Sequence, residues 1–88
     1  MINDKLKTLI TLDKEKSYTK TAQLCDITQP AVTQHIQALE QMYNITIFNK
    51  NGRTLTTTPE GKILVKNAKR LLAINKNIEK ELYSSYIY

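Results

Sequence analysis

Glycine and proline are scarce in this chain, which favours a mostly helical fold. The 88 residues include only two Gly and two Pro, the two residue types that are least favourable inside a helix. With 41% hydrophobic and 24% charged residues, the composition is typical of a globular rather than a disordered protein. At this length we expect one small domain with a single core.

Cysteine and histidine are scarcer still, with one residue of each. Cys25 alone cannot form an internal disulfide, which favours a reducing cytoplasm. One Cys and one His exclude a His/Cys metal cluster, and two Gly exclude a Gly-rich phosphate loop. No spacing suggests a nucleophile with its base. We therefore expect neither an enzyme nor a bound cofactor or metal.

Long apolar runs are also lacking. No stretch approaches the roughly 20 apolar residues that a membrane span needs. The start, Met-Ile-Asn-Asp-Lys, leads into an amphipathic stretch rather than the apolar run of a signal peptide. The sequence therefore predicts a cytoplasmic protein with no membrane partner.

Acidic residues are few in the middle of the chain. The net charge is +5 and the pI about 9.4. Between residues 41 and 76 there are seven basic residues (50, 53, 62, 66, 69, 70 and 76) and one acidic residue, Glu60. Such a local excess is the footprint that a polyanion would meet. A basic stretch is equally typical of a solvated face, so charge alone leaves both interpretations open.

Apolar spacing predicts that the chain begins with an amphipathic helix. Its apolar positions follow the i, i+4, i+7, i+8 pattern of one helix face: Ile2, Leu6, Leu9 and Ile10. The polar stretch 13–17 ends this helix. A second, short helix then reaches about Cys25, and Ser17 and Thr19 are alternative N-caps for it.

A tight turn at residues 26–28 leads into a third helix. Thr28 is its expected N-cap, and Pro30 stands in its first turn, where a missing N–H costs nothing. One buried stripe follows at spacings of four, three and four: Val32, Ile36, Leu39 and Tyr43. Asn44, which tolerates the left-handed cap conformation, predicts the end of this helix.

After Asn44 the periodicity changes from helical to alternating. Asn51-Gly52 is a strong hairpin signal, and the stretch 54–57 alternates with β-branched residues. We predict a hairpin over about 46–57 with its tip at Asn51-Gly52. Thr58 and Pro59 then begin a last helix as its cap and first residue.

The last helix is predicted over 59–83, with an apolar seam along it. The seam residues recur at alternating spacings of four and three: Leu64, Ala68, Leu71, Asn75, Ile78 and Leu82. This heptad pattern favours pairing with a second copy, in which Asn75 would weaken the contact but fix its register. A helix that folds back onto its own domain is the alternative interpretation.

Two helices joined by a short turn and followed by a basic hairpin predict a winged helix-turn-helix. The major groove of DNA, about 12 Å wide, admits one such helix. Outside its buried stripe, the third helix presents a face that carries no acid before Glu40: Gln29, Pro30, Thr33, Gln34 and Gln37. Gln can pair bidentately with adenine, and Ala31 or the Thr33 methyl group can touch a thymine methyl. Taken alone, such a face is also typical of ordinary solvent exposure.

The chain resembles the DNA-binding domain of LysR-type transcriptional regulators. The residues that carry the resemblance are Ser17-Tyr18-Thr19, Ala22, Ile27 to Thr33, Ile36, Ala38-Leu39-Glu40, Ile47-Phe48, Arg53, Thr57-Thr58 and Gly61. The resemblance implies a three-helix core, a wing and a long C-terminal linker helix through which two copies associate. It implies that Gln29, Pro30, Ala31, Thr33 and Gln34 face the groove of double-stranded DNA. It also implies that Arg53 lies on the wing near the backbone or minor groove.

Five positions depart from the family's usual pattern. Thr21 and Cys25 replace an Ala and a Leu, which we interpret as buried adjustments of volume. Gln34 and Gln37 stand where basic residues are usual, and Lys50 replaces a wing Arg. The loss of a guanine-directed Arg favours an A·T-rich operator. The expected DNA-binding residues in all are Thr28, Gln29, Pro30, Ala31, Thr33, Gln34, Gln37, Lys50 and Arg53.

The expected organisation is a DNA-binding domain at 1–58, a linker and dimerisation helix at 59–83, and a tail at 84–88. The helix-turn-helix occupies about 18–37 of the domain. Regulators of this type usually continue into an inducer-binding domain, which we expect to be absent from these 88 residues. A fragment of a longer regulator and a naturally short relative both remain open. So does a short dimerisation partner that titrates a full-length regulator without reading DNA.

Overall fold

Four helices and one antiparallel hairpin make up the part of the chain that the structure describes. This computed structural model describes the backbone of residues 2–87 and the side chains of residues 2–84. The elements in chain order are α1 (Ile2–Glu15), α2 (Tyr18–Cys25), α3 (Gln29–Tyr43), β1 (Phe48–Asn51), β2 (Thr54–Thr57) and α4 (Pro59–Ile87). The predicted fold class, mostly helical with a small hairpin, is confirmed.

Side-chain caps set the ends of the two helices of the helix-turn-helix. The Ser17 hydroxyl accepts the N–H of Lys20 at 3.1 Å, so Ser17 and not Thr19 is the N-cap of α2. Thr28 caps α3 in the same way. Asp26 and Asn44 end the two helices in the left-handed conformation, with φ of 55° and 54°. The caps predicted at Thr28 and Asn44 are therefore confirmed.

The core lies between α1, α2, α3 and the first half of α4. Its apolar members that are less than a tenth exposed are Leu6, Leu9, Leu12, Ala22, Val32, Ile36, Leu39, Ile47, Leu64, Val65 and Ala68. Two residues predicted on core-facing stripes lie outside it, since Ile2 is 42% and Tyr43 45% exposed. Both occupy the end of a helix, where no neighbouring element covers them.

Two threonines are fully buried among these apolar side chains. The Thr8 hydroxyl donates to the carbonyl of Asp4 at 3.0 Å and lies 2.8 Å from Nδ1 of His35. Thr21 is 0% exposed, and its hydroxyl has no hydrogen-bond partner in the structure. Thr21 therefore fills volume in the core as predicted, but its unpaired hydroxyl costs stability. Cys25, for which the same role was predicted, is only half-buried.

The hairpin of β1 and β2, which we call the wing, is held to the core where the chain enters β1 and where it leaves β2. The N–H of Ile47 donates to the Glu40 carboxylate at 2.8 Å, and the carbonyl of Ile47 accepts from Thr58 N at 2.9 Å. The Thr58 hydroxyl donates to Thr46 O and accepts the N–H of Gly61, which makes Thr58 the cap of α4. The hairpin is thus fixed relative to α3 and α4.

Helix α4 is longer than predicted. Its first half packs in the core, and its second half is largely exposed. Residues 84–87 continue the helix rather than forming a tail, because nothing in 59–87 breaks it; Tyr88 lies outside the described residues. The 29 residues span roughly 44 Å, so the C-terminal half projects beyond the core. None of the helices in the described chain has the length and apolarity of a membrane span.

Candidate nucleic-acid interface

The N-terminal half of α3 presents a polar face outside the core. Spacings of i, i+1, i+4, i+5 and i+8 place its members on an arc of about 140°: Gln29, Pro30, Thr33, Gln34 and Gln37. All five are exposed, as is the cap Thr28, whereas Ala31 is half-buried beside them. We use the name reading face for Gln29, Pro30, Thr33, Gln34 and Gln37. The structure therefore brings together the α3 residues that the sequence singled out.

A hydrogen bond holds one member of this face in place. The side-chain amide nitrogen of Gln29 donates to the Thr19 hydroxyl at 3.1 Å, across the helix-turn-helix from α3 to α2. Within residues 2–84, no other Gln side chain of the reading face makes an intramolecular hydrogen bond. Sequence reasoning missed this contact because Thr19 was considered only as a cap.

Glu40 does not act as a free acid at the end of the reading face. Its side chain is half-buried, and one carboxylate oxygen accepts the Ile47 N–H where the chain enters the wing. Burial raises the pKa of the nearby Tyr18 phenol, and the negative charge of Glu40 raises it further. Glu40 therefore fixes the start of the wing.

The tip of the wing lies one residue later than predicted. Asn51 pairs with Thr54 in the antiparallel register, so the two-residue turn consists of Gly52 and Arg53. Gly52 has a φ of 62° and Arg53 a negative one, which is the pattern of a type II′ turn with Gly at its first central position. Arg53 consequently occupies the extreme tip, and Lys50 lies on the adjoining strand.

The wing cations are exposed and have no acidic partner. Lys50 and Arg53 are both solvent-exposed. Among the described side chains, the one ion pair joins Lys16 to Asp13 at 3.2 Å. The positive charges of the wing are therefore available to an anion. The exposed cations of α4 nearest in sequence are Lys62, Lys66, Lys69 and Arg70.

Asp13, at the end of α1, anchors the far strand of the wing. Its carboxylate accepts the Thr57 hydroxyl at 2.6 Å. Burial raises the pKa of Asp13, but the Thr57 hydrogen bond and the charges of Lys16 and Lys69 outweigh burial, so the pKa lies below its usual range. Glu40 and Asp13 thus both hold the base of the wing, Glu40 where the chain enters β1 and Asp13 at the end of β2, and sequence reasoning gave neither role.

His35 points away from the reading face and towards α1. Its ring lies against the Thr8 hydroxyl and lines a cleft of about 480 Å³ together with Leu24 and Cys25. Burial lowers the pKa of His35, Lys5 lowers it further, and Asp4 acts in the opposite direction. Within the described residues, no group of three or more His, Cys, Asp or Glu side chains is placed to hold a metal ion.

The sequence matches one protein-family model over most of its length. The model describes a bacterial regulatory helix-turn-helix protein of the lysR family and matches residues 3–62. The chain is 36% identical over its full length to the HTH-type transcriptional regulator CysL of Bacillus subtilis. It spans only 29% of that relative's length.

Solved structures share the fold of the whole chain. One of them is the crystal structure of the BenM DNA-binding domain with catB site 1 DNA, whose sequence is 29% identical to this chain. The two structures match with a TM-score of 0.84 over 98% of this chain and 96% of that one. The CbnR DNA-binding domain in complex with DNA has a TM-score of 0.90 at 21% identity, covering 97% of this chain and 98% of that one. The predicted winged helix-turn-helix is thereby confirmed.

Proposed function

The chain belongs to the lysR family of bacterial regulatory helix-turn-helix proteins, and we propose that it binds double-stranded DNA in a sequence-specific manner. Its relatives are transcriptional regulators and not enzymes, as the sequence predicts. The reading face of α3 enters the major groove, and the wing contacts the backbone or minor groove. BenM, a structural relative, was solved with DNA, which supports this assignment.

One observation carries the proposal most directly. The reading face is exposed, carries no acid, and shares a rigid frame with the unpaired wing cations Lys50 and Arg53. The two acids that contact the ends of the hairpin strands, Glu40 and Asp13, accept hydrogen bonds from the Ile47 N–H and the Thr57 hydroxyl, so these carboxylate oxygens are directed towards the protein. A polyanion would therefore meet donors and cations across this surface.

The chemistry of the reading face favours A·T-rich operators. Gln29, Gln34 and Gln37 are amides, and a Gln amide pairs bidentately with adenine N6 and N7. No Arg stands on the reading face to pair bidentately with guanine. Thr33 adds a methyl group that can contact the methyl of thymine.

A second copy of the chain is the proposed partner of the projecting half of α4. Leu71, Ile74 and Ile78 are 50%, 55% and 48% exposed and recur at spacings of three and four. Half-buried Asn75 borders this stripe, and Leu82 continues it. Two seam residues predicted for the dimer are not available to it, because Leu64 is 8% and Ala68 0% exposed. Both pack in the domain's own core, since the first half of α4 lies against α1.

In this proposal the chain is the DNA-reading and dimerising part of a transcription regulator that acts in the bacterial cytoplasm. The alternative, a partner that titrates a full-length regulator without reading DNA, uses only the apolar stripe of α4. That alternative gives no reason for the acid-free reading face or for an Arg at the wing tip.

Titration of the purified chain on A·T-rich duplexes at several salt concentrations tests DNA binding. The logarithm of the binding constant should fall linearly with the logarithm of salt concentration, by about 0.9 per phosphate contacted. Flat salt dependence, or no binding at low salt, would overturn the proposal. Binding to a full-length regulator without any binding to duplex DNA would support the titration alternative instead.

Variants of two residues separate reading from anchoring. Gln29→Ala should flatten the preference among duplex sequences, whereas Arg53→Ala should weaken binding to all sequences about equally and reduce the salt slope by about one. The reverse outcome would show that the roles of Gln29 and Arg53 are assigned wrongly.

A further inference from the structure

We propose that Thr19 is a positioning residue that orients Gln29 to select adenine over guanine. The inference rests on the proposed DNA-binding function and adds a specificity role on α2, outside the reading face. It comes from the hydrogen bond in which the Gln29 amide nitrogen donates to the Thr19 hydroxyl at 3.1 Å.

The bond restrains an otherwise free side chain. Gln29 is the first residue of α3 and Thr19 the second residue of α2, and both are exposed. An exposed Gln samples many rotamers and must lose this freedom when it pairs with a base. A contact formed before binding reduces that loss, which is the effect of preorganisation. Gln34 and Gln37 have no such contact within residues 2–84.

Counting donors and acceptors shows which base edge the restrained amide fits. A Gln amide has two N–H donors and one carbonyl acceptor. With one N–H given to Thr19, one N–H and the carbonyl oxygen of Gln29 remain. Adenine presents an acceptor at N7 and a donor at N6, which matches this pair. Guanine presents two acceptors, N7 and O6, so the carbonyl of Gln29 would face an acceptor.

The orientation of the amide therefore decides the preference. A freely rotating Gln29 could turn so as to offer its N–H groups alone to guanine. The Thr19 bond opposes this rotation because it fixes which side of the amide faces α2. The Thr19 hydroxyl accepts this bond and keeps its own proton, which can be donated to a phosphate oxygen.

Thr19→Val tests the inference because it keeps the shape and removes the hydroxyl, and Thr19→Ser restores the hydroxyl. The affinities of both variants and of the wild type would be measured on duplexes that differ by A·T or G·C at each operator position. At the position that Gln29→Ala identifies as the Gln29 contact, Thr19→Val should reduce the preference for adenine by about tenfold. Thr19→Ser should retain the wild-type preference. Preferences at positions read by Gln34 or Gln37 should not change.

A double variant and a DNA-free measurement separate positioning from folding. Adding Thr19→Val to Gln29→Ala should cause no further loss of preference at that position. In the free protein, the side-chain amide NMR signals of Gln29 should move towards those of a solvated Gln in Thr19→Val but not in Thr19→Ser. Unchanged circular dichroism and melting temperature would show that the fold is retained.

Two different failures are distinguishable. If wild type discriminates adenine from guanine and Thr19→Val discriminates equally well, the positioning role of Thr19 is wrong while DNA reading stands. If the wild type shows no preference on any duplex, the proposed function fails and the role of Thr19 fails with it.

Discussion

The Glu40 carboxylate accepts a hydrogen bond from the backbone N–H of Ile47 at 2.8 Å. This bond joins α3, which carries the reading face, to the residue that directly precedes β1. Ile47 is 0% exposed, so its N–H depends on this carboxylate for its hydrogen bond. Together with the contacts of Asp13 and Thr58, this bond sets the placement of the wing relative to the reading face.

Glu40→Ala should lower the free energy of unfolding by about 1–3 kcal/mol, since it leaves a buried donor unsatisfied. Glu40→Gln keeps an acceptor oxygen and should cost less. Urea denaturation of both variants measures the difference, with Glu60→Ala as the control for loss of an exposed acid. Equal costs for Glu40→Ala and Glu60→Ala would contradict this role for Glu40.

The two glycines of the chain serve different purposes, and substitution separates them. A Cβ on Gly61 would lie 2.5 Å from the carbonyl oxygen of Ile47 and 2.9 Å from the Thr57 side chain. A Cβ on Gly52 would meet nothing within 4 Å, but its φ of 62° is strained for other residues. Gly61 permits close packing of α4 on the wing, whereas Gly52 permits the turn.

Gly61→Ala should destabilise the protein by about 1–3 kcal/mol, because backbone must shift to relieve the clash. Gly52→Ala should cost only about 1–2 kcal/mol through the left-handed conformation, and Gly52→Asn less than that because Asn tolerates this region. Chemical denaturation curves give all three values. A fully tolerated Gly61→Ala would show that α4 can move away from the wing without cost.

Local chemistry explains what sequence reasoning predicted correctly. The caps at Thr28 and Asn44 act within one turn of their helices, so a short stretch of sequence suffices to identify them. The exposed residues of the reading face follow from the same helical periodicity that identifies its buried stripe. These features need no knowledge of how distant elements pack.

The hairpin turn shows where local rules end. Asn51-Gly52 is the better turn dipeptide, yet the turn is Gly52-Arg53 because Asn51 pairs with Thr54. Half-buried Phe48 and Leu55 pack against the core, and this packing sets the register. Register is therefore decided by long-range contacts, and a one-residue slip would turn these side chains to solvent.

Contacts between distant residues could not be predicted from the sequence. Glu40 and Ile47 are seven residues apart, Thr19 and Gln29 ten, and Thr8 and His35 twenty-seven. Heptad spacing likewise did not separate Leu64 and Ala68, which α1 covers, from Leu71 and Ile78, which it leaves exposed. Periodicity identifies a face of a helix but not the element that covers it.

His35 makes stability depend on pH near neutrality. Burial and Lys5 hold the pKa of His35 below its ordinary value of about 6.5 in the folded state. As pH falls below about 6.5 the unfolded chain therefore binds a proton that the folded chain does not yet bind, and stability falls. Above that value both states are neutral and the effect vanishes.

Urea midpoints at pH 7.5 and 5.5 should consequently differ more for the wild type than for His35→Gln, which cannot titrate. The lowered pKa of Asp13 acts in a separate, more acidic window, below about 3.9, so it does not interfere between these two pH values. Equal pH dependence of wild type and His35→Gln would show that another group titrates.

The apolar stripe of α4 should hold two copies together. Leu71 and Ile78 are seven residues apart and half exposed, so each presents apolar area to water in a single copy. Leu71→Lys combined with Ile78→Lys places two like charges on each copy at the proposed contact, where they would be desolvated and repel their counterparts. Sedimentation equilibrium should then give the mass of a monomer, whereas the wild type gives that of a dimer.

A matched pair of substitutions controls for the added charge. Ala73→Lys with Asn77→Lys adds the same two charges at exposed positions on another face of α4, and this variant should remain a dimer. The monomeric variant should also lose affinity for duplexes with two half-sites far more than for a single half-site, because linked binding is lost. An unchanged mass for Leu71→Lys with Ile78→Lys would exclude the stripe as the dimer contact. A monomeric wild type at micromolar concentration would exclude the dimer itself.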